Sequence, residues 1–161
     1  MRKILFIIIL ISSQICFSQT IEETVAFINE KLKTHSNLYA GHYEIEISNL
    51  GNLKVHRYDI SQFEKDLSKN KLHFISMFDL KSINIKVTEL DPNDKETFTI
   101  WFKCPDKRNC VQKTFVNNDE NDEKSRYHNF FITITDKINL YKLEKAFRHL
   151  QKIYKNKKEP F

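Results

Sequence analysis

The stretch TFTIWFKCPDKRNCVQKTFV, residues 97–116, contains two β-like runs on either side of a short loop that has a cysteine at each end. Apolar residues alternate in the first run, which predicts a strand with one buried face formed by Phe98, Ile100 and Phe102. The second run, CVQKTFV, is again rich in β-branched and aromatic residues. We therefore expect two strands joined by a loop whose ends the cysteines hold.

Cys104 and Cys110 could form a metal site, a redox pair or a structural disulfide. Structural zinc takes four ligands, and no second cysteine pair or histidine pair stands at ligand spacing in the chain. A thioredoxin-type motif has two residues between its cysteines, whereas this pair has five. The pattern favours a disulfide between Cys104 and Cys110, provided that the protein reaches an oxidising compartment.

The first 18 residues predict export. Two basic residues precede an apolar run at residues 4–11, and Cys16 and Ser18 are small residues at the −3 and −1 positions of a cleavage site between Ser18 and Gln19. An N-terminal membrane anchor is the alternative, but the apolar run is shorter than the roughly 20 residues that a spanning helix needs. We expect a cleaved signal peptide and a periplasmic or extracellular protein.

The remaining chain, residues 19–161, has the length of a single domain with a sizeable core. The whole sequence has a formal net charge of +5, and residues 137–161 alone contain eight Lys or Arg and two Asp or Glu. The basic character therefore comes from the C-terminal segment.

Two amphipathic helices flank this domain. Thr20 and Glu23 have the spacing of a capping box at the start of a helix over residues 20–34. A second helix is predicted over residues 139–156, where an apolar stripe recurs at helical spacing: Leu140, Leu143, Phe147, Leu150 and Tyr154.

Between the helices the hydrophobic period changes from 3.6 to 2. Runs such as HYEIEI, LKVHRYDI, KLHFISMFDL and SINIKVTEL alternate apolar and polar residues and are separated by short turns. We expect an α+β fold in which about seven mostly antiparallel strands form a meander that closes into a barrel or roll.

No catalytic motif is present in the sequence. Two glycines are too few for a phosphate-binding Gly-rich loop, and neither Gly-x-Ser-x-Gly nor His-Glu-x-x-His occurs. The acidic run 119–123 lacks the glycine and glutamate spacing of an EF-hand, and the six histidines are scattered, although His42 and His56 could meet across the first hairpin. We expect no enzyme activity, no metal and no cofactor.

Two groups of residues are candidates for binding. Trp101 alternates away from the apolar face of its strand, so it is either an exposed binding aromatic or is covered by a terminal helix, which we favour. The C-terminal helix has a basic face that is either simply solvated, as we favour, or contacts an anionic surface such as lipid headgroups: Lys142, Lys145, Arg148, Lys152 and Lys155.

The chain resembles the uncharacterised small exported proteins of the Bacteroidota in its signal ending CFSQT, the helix TIEETVAFINEKL, the phrase FDLKSI and the closing LEKAFRHLQKIY. The order of seven strands and a helix is also similar to a pleckstrin-homology-like barrel, with FDLKSI at the junction of its third and fourth strands. Only Lys54 and Arg57 match the basic residues that bind phosphoinositides in that family, so the resemblance implies the fold and not the ligand. A cystatin-like roll is the alternative.

These observations favour an exported, non-enzymatic binding module of the cell envelope with a protein partner. The alternatives are a carrier of small apolar ligands or lipids, which would have an apolar cavity, and a binder of anionic membrane surfaces. Export disfavours nucleic acid as a partner.

We predict that the exported protein begins at Gln19. The intact mass of the protein recovered from the periplasm or medium should equal that of residues 19–161 with one disulfide. A mass that includes residues 1–18 would contradict both the cleavage and the argument for an oxidising compartment.

Overall fold

A computed structural model describes residues 20–34, 41–59, 71–91, 94–116, 122–133 and 137–157. The described residues form two α-helices and eight strands, with a single 3-10 turn at Pro105–Lys107. In chain order the elements are α1 (Ile21–Thr34), β1 (His42–Ile47), β2 (Asn52–Asp59), β3 (Lys71–Asp79), β4 (Asn84–Asp91), β5 (Asp94–Lys103), β6 (Val111–Phe115), β7 (Glu123–Ser125), β8 (Tyr127–Thr133) and α2 (Lys137–Asn156).

The strands form two antiparallel sheets, one of five strands in the order β1-β2-β3-β6-β7 and one of three in the order β4-β5-β8. The α+β class is confirmed. The expected closed barrel and simple meander are wrong for the described strands, and β7 adds an eighth strand. The reason is that the chain changes sheet three times, between β3 and β4, between β5 and β6, and between β7 and β8.

The predicted disulfide is present and spans one of these crossovers. Cys104 and Cys110 are bonded with their Cα atoms 5.7 Å apart. The strands that they join lie in different sheets, so the loop is a crossover and not a hairpin turn. The backbone N–H of Cys104 also donates to the carbonyl of Arg126 at 2.8 Å, in the β7–β8 crossover. Two crossovers are therefore held together.

Helix α1 begins with the predicted capping box. The N–H of Glu23 donates to Oγ1 of Thr20 at 3.1 Å, and the N–H of Thr20 donates to Oε2 of Glu23 at 2.9 Å. Further along the helix, Nδ2 of Asn29 donates to the carbonyl of Ile45 at 3.0 Å and Oδ1 accepts the Ile45 N–H at 2.7 Å. Since β1 is an edge strand, this amide pairs main-chain groups that an edge leaves open.

Helix α2 likewise uses polar side chains to bond main-chain groups, here in the β3–β4 turn and in β4. Nε2 of Gln151 donates to the carbonyls of Leu80 and Ile83, at 2.8 and 2.7 Å, in the β3–β4 turn. Nη2 of Arg148 donates to the carbonyl of Ile85 in the edge strand β4 at 2.8 Å. The helix is two residues longer at its start than predicted, and its apolar stripe is buried as expected: Leu140, Leu143, Phe147, Leu150 and Tyr154.

The end of α2 packs against the first hairpin turn. Gly51, in that turn, has a φ of +87°, and a Cβ there would lie 2.9 Å from the Tyr154 ring. Glycine is required at this position both for the left-handed backbone and for the close approach of the ring.

A cluster of aromatic rings fills the space between the sheets and α2. The Phe102 ring lies 5.3 Å from Phe78, 5.4 Å from Phe130 and 5.0 Å from Phe147, measured between centroids. Tyr43 on β1 contacts Phe130 at 5.0 Å. Both sheets and the C-terminal helix therefore share one core.

We predict that Phe147→Ala lowers the free energy of unfolding by about 3–5 kcal/mol, because it removes a fully buried ring from this cluster. Lys142→Ala, on the exposed side of the same helix, should change it by less than about 0.5 kcal/mol. Urea unfolding of both variants measures the difference. Equal, small effects would mean that α2 is not held by the core.

Candidate functional site

The outer face of the three-stranded sheet brings together aromatic, amide and basic side chains. We call it the Trp101 face. Strand register places Lys86, Trp101 and Asn129 in one cross-strand row and Asn84, Lys103 and Tyr127 in the next. Thr88, two residues beyond Lys86 on β4, lies on the same face. The intervening residues of β5 and β8 point into the core and are buried: Phe102, His128 and Phe130.

Trp101 is held in one orientation. Its Nε1–H donates to Oγ1 of Thr88 at 2.8 Å across the β4–β5 pair. Its ring lies 5.2 Å from the ring of Tyr127 at an angle of 65°. The ammonium of Lys103 lies over the indole, 5.3 Å from the ring centroid. The indole is half-buried and the Tyr127 side chain is 45 % exposed.

Helix α2 does not cover Trp101, contrary to the expectation that a terminal helix does so. Helix α2 packs against the opposite side of β5, where Phe147 contacts Phe102. The alternation of side chains along a strand puts Trp101 on the other side of the sheet from this contact.

The Trp101 face is positively charged. Among its described side chains Lys86 and Lys103 are exposed, and none of the others is acidic. Thr99 alternates onto the same side of β5 but is fully buried, so the open part of the face lies toward the disulfide crossover.

The second candidate surface is the exposed face of α2. Four of the predicted basic residues are exposed and have no ion pair within the described part of the chain: Lys142, Lys145, Lys152 and Lys155. Arg148 differs from them, because its guanidinium is bonded to Glu144 at 2.8 Å and to the carbonyl of Ile85. Ile138 and Tyr141 are 61 % and 67 % exposed on the same helix. Neither described helix is both apolar and long enough to span a bilayer.

His128 is a buried polar residue that the sequence analysis did not single out. It lies within a ring cage that includes Phe130 at 4.8 Å, and its Nδ1 is 3.1 Å from Oγ of Ser76 on the opposite sheet. Its Nε2 is buried without a hydrogen-bond partner. The pKa of His128 is lowered from 6.5 to about 3, mainly by burial and in smaller part by the nearby cations Lys113 and Arg57. The alternation of side chains in YHNFF places His128 on the same side of its strand as Phe130, and this pattern could have predicted that His128 is buried.

The described residues contain no group of three or more His, Cys, Asp or Glu that could hold a metal ion. His42 stacks on Tyr58 with ring centroids 4.6 Å apart, and Nε2 of His56 is 3.4 Å from a carboxylate oxygen of Glu46. These two histidines therefore contribute to a cross-strand ladder on the first hairpin. Residues 119–121 of the acidic run lie outside the described residues, as do Ser18 and Gln19 at the expected cleavage site.

No protein-family model, curated protein or solved structure matches this chain.

We predict that acid destabilises the protein through His128. Its folded pKa lies below the unfolded value, so the unfolded state binds the extra proton and stability falls as pH decreases below about 6.5. The slope should approach about 1.4 kcal/mol per pH unit between about pH 6 and pH 4.5. Urea unfolding at several pH values measures it.

His128→Phe should remove most of this slope, and His149→Gln, on α2, should retain it. If His128→Phe and the unmodified protein lose stability equally over this range, the pH dependence comes from other groups.

Proposed function

We propose that this protein is an exported, non-enzymatic binding module of the cell envelope, and that the Trp101 face is its binding surface. The observation that carries the proposal is the half-buried Trp101, fixed by Thr88 and placed beside the exposed Tyr127. Trp and Tyr are the residues that most often dominate binding energy, because they bury a large area with little loss of side-chain freedom.

The packing of the core supports binding at the surface rather than transport in an interior cavity. The rings of Phe78, Phe102, Phe130 and Phe147 are in direct contact where a carrier of apolar ligands would need open space between sheet and helix. The carrier therefore ranks below the surface-binding module.

The location in the envelope rests on residues 1–18 and is compatible with the disulfide, which oxidising compartments favour. The proposal that the protein is not an enzyme rests on the lack of catalytic motifs in the sequence. A pleckstrin-homology-like or cystatin-like relationship remains a prediction for the finer fold, and the binding proposal depends on neither.

The proposal predicts a saturable change in tryptophan fluorescence when the mature protein meets its ligand, because Trp101 is the only tryptophan in the chain. Polysaccharide, protein and membrane fractions of the producing cells' envelope should be titrated separately. At least one fraction should change the emission.

Tyr127→Ala should weaken that response, whereas Tyr141→Ala, which removes an exposed tyrosine of α2, should not. Binding of a fraction with unchanged Trp101 emission, and with equal affinity for both variants, would place the binding surface elsewhere.

The exposed face of α2 supports a second candidate, peripheral contact with an anionic membrane. Four exposed lysines contribute on the order of 1 kcal/mol each near an anionic surface. The exposed Tyr141 adds a side chain suited to the headgroup region.

For this second candidate, vesicles of phosphatidylcholine with phosphatidylglycerol should bind the protein at low salt and release it as salt rises. Lys142→Glu with Lys145→Glu should abolish the binding in a sedimentation assay, and Lys86→Glu with Lys103→Glu should have a smaller effect. Absence of salt-sensitive binding would leave these lysines as a solvated face.

A further inference from the structure

We propose that the Trp101 face binds an anionic polysaccharide. The inference rests on the proposed function and names the ligand class of that surface. It follows from three kinds of side chain that the sheet places side by side: aromatic rings, primary amides and ammonium groups.

The aromatic pair provides the contact with sugar rings. A pyranose has apolar C–H patches on its ring faces and hydroxyls at its edges, so it packs flat on an indole or phenol while its hydroxyls remain free to bond. Trp101 and Tyr127 are adjacent on neighbouring strands, with centroids 5.2 Å apart. The hydrogen bond from Trp101 to Thr88 fixes the indole before any ligand arrives.

The amides suit the hydroxyls. Asn129 lies directly across from Trp101, and Asn84 lies in the row of Tyr127. Each side-chain amide carries donors and an acceptor, and a sugar hydroxyl can act as both. A ligand with many hydroxyls can therefore pair with both asparagines.

The lysines select an acidic sugar. Lys86 is directly opposite Trp101 on β4, and Lys103 follows Trp101 by two residues on β5. Both are exposed, and the described side chains of the face include no carboxylate to neutralise them. A uronate carboxylate or a sulfate ester on the polymer would form ion pairs with these two ammonium groups.

The position of Lys103 links the binding of an anionic group to the stacking of a sugar on Trp101. Its ammonium lies over the indole in the structure, 5.3 Å from the centroid. An anionic group on the ligand would draw this flexible side chain off the ring and open the indole to a sugar. A neutral sugar would have to displace the ammonium without that compensation.

The shape of the surface indicates a polymer. Three strands about 4.8 Å apart give a face about 10 Å wide, and its two cross-strand rows offer contacts to more than one sugar unit. Single-stranded nucleic acid also stacks on aromatic rings and contacts lysines, but its phosphates require a track of cations, and the described side chains of this face include two. The two amides and the predicted export favour the polysaccharide.

The test uses polygalacturonate as the anionic polysaccharide, dextran as the neutral one and oligo(dT) as the nucleic acid. The mature, oxidised protein is titrated with each, and binding is followed by Trp101 fluorescence and by affinity gel electrophoresis. We expect polygalacturonate to bind in a salt-sensitive manner and dextran to bind about tenfold or more weakly.

The variants separate the contributions. Trp101→Ala and Tyr127→Ala should each reduce affinity for polygalacturonate about tenfold or more in the gel assay. Lys86→Gln with Lys103→Gln should reduce affinity and most of the salt dependence. Met77→Ala with Lys124→Gln, at exposed positions of the five-stranded sheet, serves as the control and should leave affinity within about twofold. Lys142→Gln with Lys145→Gln tests separately whether the α2 lysines contribute. Thermal unfolding confirms that each variant is folded, and Trp101→Phe replaces Trp101→Ala where needed.

The outcomes distinguish the two levels of the proposal. If the face responds to a protein fraction or to oligo(dT) but not to polygalacturonate, the ligand class is wrong while the binding face stands. Binding of polygalacturonate that depends on the α2 lysines and not on Trp101 or Tyr127 would overturn the assignment to this face. Equal binding of dextran would overturn the role of the two lysines.

Discussion

The fold depends on the contacts of one side chain, Phe102. This ring on β5 contacts Phe78 of the five-stranded sheet, Phe130 of its own sheet and Phe147 of α2. All three contacts lie in the range of centroid distances that favours aromatic pairs. A sheet of five strands and a sheet of three strands can each bury only a limited apolar area alone. The aromatic cluster that they share therefore joins them into one domain.

The position of the helices follows from this core and from the open edges of the sheets. Each helix buries its apolar side in the core and uses polar side chains, Asn29 on α1 and Gln151 on α2, to pair main-chain groups at an edge strand or turn. With both helices engaged in this way, the outer side of the three-stranded sheet presents Trp101 and Tyr127. The candidate binding face is therefore the side of the three-stranded sheet that faces away from the shared core.

Local features were predictable from the sequence, whereas the division into two sheets was not. The capping box of Thr20 and Glu23, the disulfide and the α2 stripe depend on residues close together in the chain, and all three are confirmed. The loop between β5 and β6 resembles a hairpin loop in its length, but the strands separate into different sheets. The bond between Trp101 and Thr88 depends on strand register, which alternation alone does not determine.

The most direct test of this account is whether the sheets and α2 unfold as one unit. Urea unfolding of the oxidised protein should be followed by the fluorescence of Trp101, which reports the three-stranded sheet, and by far-UV circular dichroism, which reports the helices. The account predicts coincident transitions with the same midpoint and slope. Loss of the helical signal at a lower urea concentration than the Trp101 signal would show that α2 is not part of a shared core, and would contradict the account.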